Sequence, residues 1–202
     1  MDDDLAVVLR PIEKGDLDRA QRAYGLLSEE SRYNRFWGKP QELSPEWAER
    51  LTNTDEYGHV AWIALDRDDD AIPGLGGASF WRDEEDPSIA EISFTIGDSW
   101  QRRGLATLLF SILYFEGWES GVREFRGYCR LNNTSMAAWW DSIGGTVTST
   151  SHQHELQLAL EPPADFINRV AFDLVPSRRR IEVAEWLGDW TRKVALPDVA
   201  GE

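Results

Sequence analysis

The chain is short of the residues that build covalent or metallic frameworks. One cysteine, Cys129, stands among 202 residues, which excludes an internal disulfide and suits a reducing compartment. It falls in a predicted strand, where a buried, unreactive thiol is expected. The three histidines, His59, His152 and His154, show no spacing that joins them to further ligands, so no metal is expected. His152 and His154 would share one face of a strand, but no third ligand accompanies them. Long apolar runs are missing too. The longest, Leu105 to Phe115, is too short and too interrupted by Ser and Thr to span a bilayer. The first residues, Met-Asp-Asp-Asp, are acidic and do not read as a signal peptide. These absences together predict a cytoplasmic protein.

Positive charge is also scarce. Lys and Arg number 21 against 36 Asp and Glu, a net charge of -15, which disfavours nucleic acid and anionic membranes as partners. The run Arg178-Arg179-Arg180 reads better as a salt-bridged helix start than as a nucleic-acid patch. Acid clusters at Asp2 to Asp4, Asp66 to Asp70 and Asp83 to Glu85, in the chain start and predicted turns, where it solubilises. What is plentiful is apolar and aromatic: 42% hydrophobic residues, 11% aromatics and ten tryptophans, enough for one well-filled domain with an extension.

Periodicity gives a mixed α/β chain. Strands are predicted at Leu5 to Ile12, His59 to Leu65, Leu75 to Arg82, Glu91 to Ile96, Glu124 to Leu131, Thr146 to Thr150 and His154 to Leu160. Helices are predicted from Leu17 to Leu27 behind an Asp16 cap, from Ser44-Pro45 to Asn53, from about Arg103 to Gly121, and from Asn133 to Gly144. Residues 28–36 read as irregular. Gly74-x-Gly76-Gly77 precedes a strand, so it reads as hairpin entry and bulge rather than a dinucleotide loop. Gly127 inside a strand signals a bulge or a close backbone approach. The domain is expected to span 1–160. Residues 161–202 form an extension with a helix from Arg178 to Val194 that packs on the domain or makes a homodimer contact.

One stretch organises the rest, Glu91-Ile-Ser-Phe-Thr-Ile-Gly-Asp-Ser-Trp-Gln-Arg-Arg-Gly-Leu-Ala-Thr107. A strand turns at Gly97-Asp98-Ser99 and opens a helix. Gly104 and Ala106 leave the backbone approachable, a helix start offers unpaired N–H groups, and Arg102 and Arg103 add positive charge. That combination is an anion seat. The ending is not Gly-Lys-Ser/Thr, so it is no nucleoside-triphosphate loop.

Gln101-x-x-Gly104-x-Ala106 after a strand resembles the pyrophosphate loop of the GCN5-related N-acetyltransferase (GNAT) superfamily. Asn133, followed eleven positions later by Gly144, resembles that superfamily's Asn…Gly-Phe segment, with Gly145 in place of Phe. Leu9-Arg10-Pro11-Ile12, Leu27-Ser-x-Glu-Ser31-Arg32-Tyr33-x-Arg35-Phe36 and Leu43-Ser44-Pro45 are similar to the acetyltransferase domain of bacterial protein lysine acetyltransferases. The resemblance implies a GNAT fold, a central mixed, mostly antiparallel sheet flanked by helices. It implies acetyl-CoA as cosubstrate and an amine acceptor, a protein lysine or a small molecule. Glu91 takes the place of the branch's catalytic Glu. Phe94, Thr95 and Ile96 are implied to receive the pantetheine arm, and Gln101, Arg102, Arg103, Gly104, Leu105, Ala106 and Thr107 the diphosphate. Asn133, Met136 and Trp140 are implied cofactor contacts, with an N-cap as the alternative role of Asn133. Trp140 stands where the superfamily often has a Tyr acid, so the acid is unassigned. An acyl-CoA-binding module serving sensing or assembly is the competing reading.

Overall fold

The computed structural model describes residues 7–38, 41–55 and 57–162. The tail helix expected from Arg178 lies outside the described residues. In chain order the elements are β1 (Val7–Pro11), α1 (Leu17–Gly25), α2 (Glu29–Phe36), α3 (Pro45–Thr52), β2 (His59–Asp66), β3 (Gly76–Arg82) and β4 (Ile89–Ile96). They continue as α4 (Leu105–Glu119), β5 (Glu124–Arg130), α5 (Thr134–Ser142), β6 (Thr146–Ser149) and β7 (Gln153–Ala159). The strands form one seven-stranded sheet in the order β1-β2-β3-β4-β5-β7-β6. Every pairing is antiparallel except that of β4 with β5. No helix among the described residues is long and apolar enough to cross a membrane.

Strand alternation divides the side chains between two layers. Val60, Trp62, Ala78, Phe80, Ile92 and Phe125 face α4, whose Leu109, Phe110, Leu113 and Tyr114 are fully buried against them. Helix α4 is apolar nearly all round, as a helix enclosed between a sheet and further structure must be. A Cβ on its Gly117 would lie 2.9 Å from the Phe125 ring, so glycine there lets helix and sheet close up. The opposite face carries a smaller cluster, Tyr24, Leu27, Leu43 and Ala48, built by α1, α3 and the connection before α3.

Three sequence expectations need correction, and a fourth is narrowed to one of its two alternatives. Residues 29–36 are helical: the Ser28 hydroxyl accepts from Ser31 N–H at 3.2 Å, and Trp37 closes the helix with φ of 56°. Asp16 makes no side-chain cap to α1; its carboxylate grips the Arg10 guanidinium and accepts from Glu13 N–H at 2.9 Å. Gly76 and Gly77 sit in an uninterrupted register with β2 and β4, so there is no bulge. Gly127 likewise keeps register, and its role is close approach: a Cβ there would lie 3.4 Å from the Ile92 carbonyl oxygen. Cys129 is 2% exposed, and burial pushes its thiol up to about 11, as an unreactive core cysteine requires.

Two positions yield measurable consequences. A Cβ at Gly145 would fall 2.2 Å from the Nε1 of Trp140, so the indole occupies the space of any residue-145 side chain. Gly145→Ala should cost about 1–3 kcal/mol by overpacking, read as a lower Tm; combining it with Trp140→Phe should cost less than the two changes summed. His59 stacks on Trp81 at 3.5 Å, its Nδ1 donates to the Asn53 carbonyl at 3.0 Å, and its Nε2 is buried without a partner. Burial holds its pKa below the usual 6.5, so the unfolded chain binds that proton more tightly. Stability is therefore full above that pH and declines as pH falls below it. Melts from about pH 7.5 to 5.5 should show this decline, and His59→Phe should flatten it.

Candidate active site

The site begins where two strands part. β4 and β5 pair in parallel only at Ile89↔Glu124, Ala90↔Phe125 and Glu91↔Arg126. Beyond Glu91, β4 keeps its partner β3 as far as Ile96, but its other edge has no strand on it. A wedge opens between the strands with unpaired backbone on the β4 side, able to pair with an extended amide-containing ligand as an added strand would. Phe94 lies on the inner face of the wedge against the Trp139 ring, centroids 5.2 Å apart and nearly perpendicular. Thr95 lies on the opposite face of β4, and the Ile96 carbonyl is taken by the Gln101 side chain at 3.2 Å.

At the wide end of the wedge the chain turns into α4. Arg102 has φ of 59° and Gly104 φ of 86°, two left-handed residues that swing the loop round the start of the helix. Only Gly104 adopts this without a Cβ penalty. The first bond of the helix runs from Leu108 N–H to the Gly104 carbonyl, so the N–H groups of Leu105, Ala106 and Thr107 have no intrahelical acceptor. Leu105 and Thr107 are buried and Ala106 is half-buried. Arg102 is exposed, and Arg103 lies over the Trp100 ring at 5.0 Å. N–H groups without an intrahelical acceptor, the helix dipole and two guanidinium groups make this end of the wedge fit a diphosphate.

This loop is fixed from a distance by α2. Asp98 accepts from Ser28 N–H at 2.9 Å, Ser28 Oγ at 2.6 Å and Ser31 Oγ at 2.9 Å. Burial raises the Asp98 pKa, but these hydrogen bonds more than offset it and hold the carboxyl below its usual range. Gln101 adds a bond to Ser31 Oγ at 3.2 Å. Its amide therefore ties the loop to α2 and to the end of β4.

Glu91 is exposed on the outer face of β4, at the point where the strands part, with Trp81 opposite on β3 and Arg126 opposite on β5. Two residues along the same face, Ser93 Oγ accepts from Arg35 Nη2 at 3.0 Å and bonds Ser79 Oγ at 3.1 Å. Desolvation pushes the Arg35 guanidinium down to about 10, against the stabilising pull of Glu91. Arg35, Ser79, Ser93 and Thr95 edge a cavity of about 130 Å³ between the sheet and α1 to α3. Its lining is otherwise mostly apolar, including Tyr24, Leu27, Phe36, Ile63 and Gly77.

The α5 residues divide. Asn133 caps the helix, its Oδ1 accepting from Met136 N–H at 3.2 Å, so the capping role is observed and only the amide NH2 end is left to a ligand. Met136 is half-buried against the core. Trp140 does not fit a cofactor contact: it is 0% exposed, and its Nε1 donates to the Gln157 carbonyl at 3.1 Å. Its neighbour Trp139 is the residue that reaches the wedge, donating from Nε1 to Thr107 Oγ1 at 3.0 Å beside Phe94. Sequence spacing alone points to Trp140; the turn of α5 puts the other indole there. His154 bonds Ser149 and the Leu131 carbonyl through its two ring nitrogens, while His152 precedes β7 and so does not share a strand face with it.

The family model described as an acetyltransferase (GNAT) domain matches residues 6–146, and the chain belongs to that family. Acetyltransferase Pat of Mycolicibacterium smegmatis is 30% identical over 139 residues, covering 67% of this chain and 40% of that protein. The chain thus matches less than half of that relative's length. Among solved structures, the GNAT domain of S. lividans PAT superposes with a TM-score of 0.69 at 24% identity, over 75% of this chain and 89% of that one. The Salmonella typhimurium protein yncA, an acetyltransferase solved with its cofactor acetyl-CoA, gives a TM-score of 0.62 at 19% identity, over 77% of this chain and 95% of that one. Both share the fold.

Asp98→Ala removes the acceptor that holds α2 to the loop. It should cost about 1 kcal/mol, the loss of exposed hydrogen bonds, and should raise amide hydrogen exchange at Arg102 to Ala106. Unchanged exchange there would mean that the loop holds its shape without α2.

Proposed function

We propose that this chain is an acetyl-CoA-dependent N-acetyltransferase that moves an acetyl group directly to a primary amine, with Glu91 as general base. The observation that carries this is placement. Glu91 stands exposed at the apex of the wedge, while the N–H groups opening α4 stand at its wide end. An extended molecule with a diphosphate at one end and a reactive group at the other fits that span.

In this reading the edge of β4 past Glu91, at Phe94 and Ile96, positions the pantetheine amides. The N–H groups of Leu105 to Thr107, with Arg102 and Arg103, hold the diphosphate. An ammonium has no lone pair, so the acceptor must lose a proton before it can attack. Glu91 takes that proton, directly or through water. The amine nitrogen then bonds to the thioester carbonyl carbon and gives its second proton to solvent, the carbon–sulfur bond breaks, and the thiolate leaves with the electron pair and takes a proton from solvent. Trp139 beside the wedge has an indole N–H but no acidic proton to give, in keeping with a proton from water. The acidic surface and lone buried cysteine accord with action in the cytoplasm.

Glu91→Gln keeps the shape and removes the base. It should lower kcat by about 10²- to 10⁴-fold while the Kd for CoA, measured by calorimetry, stays within about threefold. An unchanged kcat would remove Glu91 from the mechanism. Tight CoA binding without acetyl transfer to any amine would favour the sensing module.

A further inference from the structure

The cavity beneath α1 to α3 has a composition that selects among amines. Its volume is about 130 Å³; an apolar cavity of about 150 Å³ accommodates benzene, so this one holds a branched aliphatic side chain or a small ring. Its floor is kept low by small residues of the outer sheet face, Ala61, Gly77, Ser79 and Ser93. A Cβ on Gly77 would meet only ordinary contacts, the Trp62 carbonyl at 3.4 Å and Ile12 at 4.0 Å, so the glycine leaves space rather than relieving a clash.

The charge of this lining has one sign. Among the described residues Asp16 is its only carboxylate, and it is matched: Arg10 pairs with it and Arg19 approaches at 3.6 Å. Among the described residues Arg35 is the lining's only cation. One of its five donors, Nη2, bonds Ser93 Oγ at 3.0 Å. A desolvated guanidinium beside an apolar space attracts a carboxylate more strongly than one in water does. A second ammonium, as in a polyamine, would instead meet Arg35 with like charge.

Resting on the acetyltransferase reading, we infer that the acceptor is a small amino acid with an apolar side chain. Its side chain fills the cavity, its carboxylate pairs with Arg35, and its amine is presented to Glu91 at the parting of β4 and β5. The three groups are adjacent because Ser93, which anchors Arg35, is two residues from Glu91 on the same face of β4.

The test compares leucine, 3-methylbutylamine (the same molecule without its carboxylate), spermidine and a lysine peptide. Thiol release from acetyl-CoA is measured, and leucine binding to the CoA-loaded protein is measured by calorimetry. Leucine should give the highest kcat/KM and bind without turnover. Arg35→Met should raise its KM roughly 10- to 100-fold, the value of a charge-assisted hydrogen bond, and leave the KM for 3-methylbutylamine within about threefold. Gly77→Leu should abolish leucine binding while glycine still binds. Higher kcat/KM for the lysine peptide or spermidine overturns the inference, as does an equal KM for leucine and 3-methylbutylamine in the unaltered protein. If CoA itself does not bind, the acetyltransferase reading fails. If CoA binds and leucine does not, only the acceptor assignment fails.

Discussion

β4 has strand neighbours on both sides at Ala90 and Glu91 and only β3 beside it from Ile92 to Ile96, and the rest of the site follows from that. A strand losing a partner in the middle of a sheet would leave backbone groups unsatisfied, which is costly unless water or a ligand replaces the partner. Here the loss occurs beside Gly127, the last place where β5 stays close to β4. It creates an edge in the interior of the sheet, open to a ligand but flanked by both strands. The base candidate stands on the last paired residue, and the helix-start amides stand where the gap is widest.

Helix α2 joins the two ends of that gap. Ser28 and Ser31 at its start hold the loop through Asp98, Arg35 near its end holds Ser93, and Tyr33 lies under Arg130 of β5 at 3.9 Å. A helix of eight residues is not stable by itself. It persists because each turn bonds to something else. The same short helix thus bonds both the loop before α4 and the edge of the cavity.

The departures from the superfamily pattern explain one another. An indole at 140 needs the volume beside it, and Gly145 supplies that volume by having no side chain. Trp140 is then sealed in the core, with its N–H satisfied by Gln157, and Trp139 is left at the wedge. Read one residue at a time, the Tyr-to-Trp and Phe-to-Gly differences look like losses of function; in three dimensions they are one repacking.

The strand, loop and long helix from Glu91 to Glu119 were legible from the residues alone, because their determinants are local. Alternation, a Gly at positive φ and an unbroken apolar run each act within a few residues of themselves. The order of elements in the sheet's domain was readable for the same reason, and so was the burial of Cys129. Helix α2 was not readable, since its residues are mostly polar and its anchors are partners 58 to 70 residues away, as with Arg35 to Ser93 and Ser28 to Asp98. Arg35 stood in a motif without a role until packing placed it between Glu91 and an empty apolar space. Which of two adjacent tryptophans faces a ligand was settled by the rotation of α5 against the sheet. Periodicity along a chain encodes which face is apolar, but the meeting of distant side chains, and hence the site's chemistry, exists only once the layers have packed.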